Sequence, residues 1–139
     1  MAMHLEFVVL GPPISNQQST AAGKANLIAW RATVAGAAGP LWAKPLLTGN
    51  LKTIIINFYD GNKPSVDVDN MSKPILDEMQ QLIYDDDRQI IQAEISHLKI
   101  GSPYSIVGVS KILVNALQAG QQFVYVRLED PVDPFPLPK

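Results

Sequence analysis

The sequence predicts a single α/β domain of the α+β type, with a mixed β-sheet flanked by helices. Apolar runs rich in β-branched residues alternate along the chain with stretches of helical periodicity. Clusters of glycine and proline separate these segments where the chain must turn. With 139 residues, 47% of them hydrophobic, the chain can bury one core and is too short for two.

The first half of the chain predicts a strand, a helix and a second strand. Residues 5–10 form a short β-rich run that Gly11, Pro12 and Pro13 bring to an end. Residues 19–38 are rich in alanine, carry an apolar stripe at helical spacing and stop at Gly39 and Pro40. Residues 51–59 are continuously apolar at their centre, which is typical of a buried strand.

The second half predicts two more helices and two more strands. Residues 74–84 place apolar side chains at the spacing of one helical stripe, and residues 90–100 are β-branched and partly alternating. Residues 105–119 fit a helix that stops at Gly120, although their valines also suit a strand. Residues 122–128 read as the last strand. We expect the domain to span residues 1–130 and a proline-rich, extended tail to follow at residues 131–139.

Composition excludes several classes of protein. The chain has no cysteine, which rules out disulfides, iron–sulfur clusters, cysteine-based zinc sites and cysteine nucleophiles. No apolar run approaches the roughly 20 residues that a membrane-spanning helix needs, and the first residues lack the pattern of a signal peptide. We therefore expect a cytoplasmic protein without a membrane partner.

Charge is distributed unevenly. The whole chain carries −2, which by itself argues against a nucleic-acid-binding protein. Residues 67–87, however, contain seven acids and one base, so the rest of the chain carries +4. An acidic centre within a mildly basic protein suits a site that holds cations while its surroundings meet phosphate, although a solvated acidic surface has the same charge.

The acidic segment has the residue types of a metal-dependent hydrolytic site. In extended backbone, Asp67 and Asp69 would point the same way while Val68 faces the core, and Asp87 would complete a site of three carboxylates. Oxygen ligands without histidine or cysteine suit Mg²⁺, or Mn²⁺, rather than zinc. Such a metal promotes phosphodiester hydrolysis, and Lys73 is a candidate to stabilise the negative charge that develops on the phosphate.

A purely structural interpretation accounts for the same residues. The acids would form a solvated turn, Asp69 or Asn70 would cap a helix, and Lys73 would pair with Asp77 four residues later. Chemistry alone leaves both interpretations open.

An EF-hand calcium loop can be rejected. Counted from Asp67, Asp69 and Glu78 fall at positions three and twelve, as such a loop requires. Position six, which must be glycine, is Ser72, and Pro74 interrupts the loop. The segment ahead of the loop also reads as a strand rather than a helix.

The order and spacing of these residues resemble the RusA family of Holliday-junction resolvases, small dimeric enzymes that cut four-way DNA junctions symmetrically. The resemblance rests on Asp67-x-Asp69-Asn70-x-x-Lys73-x-x-x-Asp77, followed by Asp86-Asp87-x-Gln89-Ile90. It extends more weakly to the exit of the first strand, Gly11-Pro12-Pro13-Ile14-Ser15-Asn16, which is similar to that family's Pro-Pro-Ser-Asn turn. Residues 5–35 and 51–100 are roughly covered.

The resemblance implies a role for each matching residue. Asp67, Asp69 and Asp87 correspond to the metal-binding catalytic aspartates, and Lys73 to the active-site lysine. Asn70 and Asp86 would be supporting residues of that site. The isolated histidines His4 and His97 match no ligand pattern, so we expect them to be surface or internally satisfied residues.

Two departures from the family pattern concern the DNA contacts and the helix start. The family commonly carries a basic run ahead of the first aspartate, whereas this chain offers Lys63 alone; Lys24 and Arg31, on one face of the first helix, are further weak candidates for backbone contacts. Pro74 disfavours helical backbone at Lys73, so we expect the second helix to begin near these two residues rather than at Asp69.

The resulting hypothesis is a homodimeric, Mg²⁺-dependent endodeoxyribonuclease that resolves four-way junctions by paired nicks in DNA recombination and repair. Its partner is branched DNA, and its two active sites would follow the twofold symmetry of the junction. The alternative is a non-catalytic protein that binds branched DNA and retains the resolvase fold without productive metal geometry.

Overall fold

The computed structural model describes residues 2–139 and confirms a single domain built on a four-stranded mixed sheet with three helices. The elements are β1 (Met3–Leu10), α1 (Ala21–Ala38), β2 (Leu51–Tyr59), α2 (Val68–Met79), β3 (Ile90–Lys99), α3 (Lys111–Ala119) and β4 (Phe123–Glu129). The strands lie in the order β1-β4-β2-β3. β4 runs antiparallel to β1 and β2, and β3 runs parallel to β2, to which α2 connects it.

The two faces of β2 pack against different helices. Leu51 and Ile55 point toward the main core, which contains Trp30 of α1 and Met71 of α2. Phe58, on the opposite face, packs in a smaller cluster against α3. Because side chains alternate between the faces of a strand, Asn57 lies on the same side as Ile55, toward α1 and α2.

The first helix follows its prediction closely. Thr20 caps α1, with its hydroxyl accepting a hydrogen bond from the backbone N–H of Gly23 at 2.9 Å. Trp30, Val34 and Ala38 are the buried residues of this helix. In the described chain, no helix is both long and apolar enough to cross a membrane.

The prediction for the second helix is wrong at both ends. α2 begins at Val68, six residues before Pro74, and ends at Met79 rather than at residue 84. Pro74 lies inside the helix, where its missing N–H leaves the carbonyl of Asn70 without its usual partner; the backbone N–H of Asn16 donates to that carbonyl at 2.9 Å instead. The turn after β1 is thereby attached to the first turn of α2.

The third helix is shorter than predicted. α3 spans only Lys111–Ala119, because Ser110 caps it and the preceding residues 105–110 form a loop. Gly120 ends the helix in the left-handed conformation, with φ at 72°, as expected of a glycine stop.

Candidate active site

Asp67 is the N-cap of α2, and this corrects the expected backbone around it. Oδ1 of Asp67 accepts a hydrogen bond from the backbone N–H of Asn70 at 2.8 Å, and Oδ2 accepts one from the Asn70 side chain at 3.3 Å. Asp69 lies in the first helical turn and not in extended backbone. The prediction that Asp67 and Asp69 point the same way from a strand is therefore wrong, as is the cap assigned to Asp69 or Asn70.

One exposed side of α2 carries alternating charges. Asp69, Lys73 and Asp77 follow each other at intervals of four residues, and each interval turns the helix only about 40° beyond a full turn. Nζ of Lys73 lies 3.3 Å from Oδ1 of Asp77, and the two side chains are 59% and 23% exposed. The ion pair of the structural interpretation is therefore present. The charge of Lys73 also acts on Asp87, whose pKa it lowers.

Asp87 follows the acidic turn and approaches the same part of α2. Its Oδ1 lies 2.8 Å from the hydroxyl of Tyr84, and its backbone N–H donates to the Gln80 side chain at 3.1 Å. Partial burial raises the pKa of Asp87 above its ordinary value. The nearby carboxylate of Asp77 raises that pKa further, whereas the hydrogen bond from Tyr84 and the charge of Lys73 oppose the rise.

The three predicted metal ligands do not converge by themselves. Within residues 2–139, no three His, Asp or Glu side chains are grouped so that they could hold a metal ion. Asp87 instead lies near enough to Asp77 and Lys73 for their charges to shift its pKa. Asp69 lies one helical turn before Lys73, and Asp67 lies at the helix N-terminus. The sequence motif contains Asp77, but its contact with Asp87 could not be read from spacing alone.

Asp86 shapes the turn that carries Asp87. Its carboxylate accepts hydrogen bonds from the backbone N–H of Arg88 at 2.8 Å and from the Arg88 guanidinium at 2.8 Å. These bonds lower the pKa of Asp86 to about 2. The Gln89 side chain completes a capping box with Asp86 and donates to the carbonyls of Leu47 and Gly49, both at 2.9 Å. Asp86 therefore holds the acidic turn in place through Arg88 and Gln89.

His97 lies behind the start of α2. Its Nε2 is 2.9 Å from the carbonyl of Val66, the residue before Asp67, and its Nδ1 is 3.1 Å from the side-chain amide of Asn57. The bonds connect β2 and β3 to the loop that leads into the helix. His97 has partners on both ring nitrogens, which agrees with the expectation of a satisfied histidine, but its position beside Asp67 was not predicted.

The three weak candidates for DNA contacts occupy different surroundings. Lys24 on α1 and Lys63 in the loop before Asp67 are exposed. Arg31 forms an ion pair with Glu78, with Nε and Oε1 2.6 Å apart, and so connects α1 to α2. Part of its charge is therefore already compensated within the fold.

Comparison with known proteins identifies the family. The family model described as Endodeoxyribonuclease RusA matches residues 12–110, which include the turn after β1, the whole of α2 and the acidic turn. The chain belongs to the RusA family. This is a family of Holliday-junction resolvases and endonucleases. No curated protein matches the chain.

The donor atoms of this RusA-family chain suit a hard divalent cation. The residues of the acidic segment offer carboxylate oxygens and neither histidine nor cysteine. Asp77 and Asp87 are close enough to raise the pKa of Asp87, an arrangement of like charges that a bound cation would stabilise. The chemistry of the donors therefore fits Mg²⁺, even though the three predicted ligands are not gathered.

Proposed function

We propose that the chain is a Mg²⁺-dependent endodeoxyribonuclease that resolves four-way DNA junctions by paired, symmetric nicks. The observation that carries the proposal is the RusA family match over residues 12–110, within which Tyr84 holds Asp87 against α2 and Lys73 lies 3.3 Å from Asp77. Carboxylates that approach each other beside a lysine are costly for stability alone and useful for binding a cation and a phosphate.

In this proposal, Asp67, Asp69 and Asp87 hold the metal. When bound, Mg²⁺, or Mn²⁺ in its place, would neutralise the scissile phosphate and lower the pKa of an attacking water. Asn70, bonded to Asp67, and Asp86, which shapes the acidic turn, keep two of these carboxylates in position.

Lys73 has two roles in the mechanism that we propose. Before substrate binds, its ammonium group offsets the negative charge of Asp77. Because the side chain is long and 59% exposed, it can turn from Asp77 to a phosphate oxygen when DNA arrives. There it would stabilise the negative charge that builds up in the transition state.

The substrate and the assembly follow from symmetry. A four-way junction presents two equivalent strands, and a twofold homodimer presents two equivalent active sites. Lys24, Arg31 and Lys63 would contribute contacts to the DNA backbone, which makes binding sensitive to salt. Arg31 would do so with a charge already shared with Glu78.

Incubation of the purified protein with a labelled four-way junction tests this function. We expect symmetric nicks with Mg²⁺, none with EDTA, and no cleavage of a linear duplex of the same sequence. If the junction is bound but stays intact with both Mg²⁺ and Mn²⁺, the protein is instead a non-catalytic binder of branched DNA.

Mixed dimers test the assembly. Sedimentation should give about twice the chain mass at micromolar concentration. Mixing wild-type protein with Asp69→Asn subunits should produce junctions nicked on one strand only. An active enzyme that sediments as a monomer would contradict the paired-site mechanism.

A further inference from the structure

The loop between β2 and α2 leads directly into Asp67 and has little backbone support. It covers residues 60–67. Within residues 2–139, no backbone–backbone hydrogen bond joins residues 60–66 to another segment. The Val66 side chain packs against the main core, but apolar packing is not directional and leaves the orientation of the Val66 carbonyl open. The path of the backbone into Asp67 therefore depends on contacts from side chains.

His97 on β3 supplies such a contact. Its Nε2 lies 2.9 Å from the carbonyl oxygen of Val66. Because a carbonyl can only accept, Nε2 carries the proton, and Nδ1 is left to accept from the Asn57 amide at 3.1 Å. Asn57 is fully buried and lies opposite His97 where β2 and β3 pair. The sheet therefore holds the imidazole ring, and the ring donates its single N–H to the loop.

The bonded carbonyl constrains the direction of the Asp67 side chain. The carbonyl carbon of Val66 is one of the atoms that define φ of Asp67, which is −80°. Since the peptide unit is planar, a hydrogen bond that orients this carbonyl also orients the N–Cα bond of Asp67. From the other side, Asn16 donates to the carbonyl of Asn70, and Asn70 donates to the Asp67 carboxylate. Hydrogen bonds thus hold Asp67 from both sides.

We propose that His97 is a positioning residue for the metal site, in which its Nε2–H holds the Val66 carbonyl so that the Asp67 carboxylate faces the cation. The inference rests on the proposed function, because that function makes Asp67 a metal ligand. His97 acts through the Val66 backbone and is not a catalytic residue. Removing a group that orients a metal ligand typically lowers metal affinity or activity by about 10- to 100-fold. A purely structural histidine would affect stability alone.

Two substitutions at His97 test the proposal through metal affinity. Mn²⁺ binding to the protein is followed by the electron paramagnetic resonance signal of free Mn²⁺, and single-turnover junction cleavage is measured over a range of Mg²⁺ concentrations. His97→Leu removes both ring nitrogens. We expect it to weaken Mn²⁺ binding and to raise the Mg²⁺ concentration for half-maximal cleavage by about tenfold or more. His97→Gln offers an amide N–H near the position of Nε2 and should restore most of this loss.

The contrary results are distinct for each variant. A His97→Leu protein with the metal affinity of wild type would overturn the positioning role. If His97→Gln is impaired as strongly as His97→Leu, the Nε2–H bond is not the cause and the inference is wrong. If Mn²⁺ binds only once DNA is present, the Mg²⁺ concentration for half-maximal cleavage decides by the same criteria.

A stability control separates positioning from a general loss of folding. Thr53 is fully buried near the start of β2, and its hydroxyl donates to the carbonyl of Arg127 at 3.1 Å. Thr53→Val removes this buried hydrogen bond far from the loop in sequence. It should lower the free energy of unfolding, measured in urea, and leave the metal dependence unchanged. If Thr53→Val weakens metal affinity as much as His97→Leu does, lost stability explains the effect and the inference fails.

The same experiments distinguish this inference from the proposed function. Wild-type protein that cuts the junction with Mg²⁺, together with a His97→Leu variant of unchanged metal dependence, would leave the proposed function standing and remove His97 from the metal site. Wild-type protein that cuts no junction with either Mg²⁺ or Mn²⁺ would overturn both.

Discussion

The hydroxyl of Tyr84 lies 2.8 Å from Oδ1 of Asp87, three residues further along the chain. The same hydroxyl is 2.8 Å from the carbonyl of Leu76 in α2, so its single proton is shared between two acceptors. Burial, followed by the bond to Asp87, raises the pKa of Tyr84 far above its ordinary value, which keeps the hydroxyl protonated. Tyr84 thus fixes the distance between the acidic turn and the helix that carries Lys73 and Asp77.

Tyr84→Phe should therefore weaken metal binding. Without the hydroxyl, Asp87 loses its link to α2, and we expect the Mg²⁺ concentration for half-maximal cleavage to rise several-fold. Loss of a hydrogen bond to a charged carboxylate should also cost about 1.5–3 kcal/mol of the free energy of unfolding, measured in urea. Tyr104→Phe, on the other face of the sheet, is the control. An unchanged Mg²⁺ requirement would make Tyr84 a purely structural residue.

Two substitutions at Asp67 separate its role as a helix cap from its proposed role as a metal ligand. Asparagine is also a good N-cap, so Asp67→Asn should keep the free energy of unfolding within a few tenths of a kcal/mol and still abolish cleavage. Asp67→Ala should lose cleavage and, in addition, about 1 kcal/mol of stability. Junction binding should stay intact or tighten in both variants, because a negative charge facing phosphate has been removed.

The rate of Asp67→Asn cleavage decides whether Asp67 is a metal ligand. Asp67→Asn protein that cuts at the wild-type rate would leave Asp67 a helix cap only. Asp69→Asn and Asp87→Asn, which disturb no helix cap, should match its loss of cleavage. Asp133→Asn, in the exposed tail, should behave as wild type.

Asp86 should contribute to acid stability. Its pKa in the folded protein is about 2, below the ordinary 3.8. A carboxyl group whose pKa is lowered by folding stabilises the folded state fully when the pH is above its ordinary pKa. This stabilisation is lost as the pH falls through the folded-state pKa of about 2. The difference in stability between wild type and Asp86→Asn, followed by circular dichroism, should therefore shrink as the pH falls from about 4 to about 2. A difference that stays constant over this range would exclude the Arg88 contact as its source.

The strands could be predicted from the sequence because burial there depends on local pattern. Residues 51–59 were predicted to the residue as β2, since a continuous apolar run bounded by breakers leaves little choice. The sequence also placed the acidic segment correctly within the RusA family. Both successes rest on residues that are close together in the chain.

The start of α2 could not be predicted because it depends on a distant partner. Local rules disfavour a helix across Pro74, and they do not reveal that Asn16 satisfies the carbonyl that the proline leaves free. The helix end was missed for a similar reason. Tyr84 continues the apolar pattern and is buried, but it lies beyond the end of the helix. There its backbone pairs with Leu47 in an isolated β-bridge. The same limit hid the contacts of Asp87 with Asp77 and of Asn57 with His97.

Lys73 distinguishes the catalytic from the structural interpretation of α2, because the two predict opposite effects of Lys73→Ala. If Lys73 stabilises charge on the phosphate, single-turnover cleavage should slow by about two orders of magnitude or more. If it only pairs with Asp77 at 3.3 Å on the helix surface, the variant should lose a few tenths of a kcal/mol of stability and cut at the normal rate. Lys111→Ala, at an exposed position on α3, is the control for the loss of a positive charge. Cleavage with protein in excess and a urea titration measure both quantities on one preparation, and an unchanged rate would remove Lys73 from the active site.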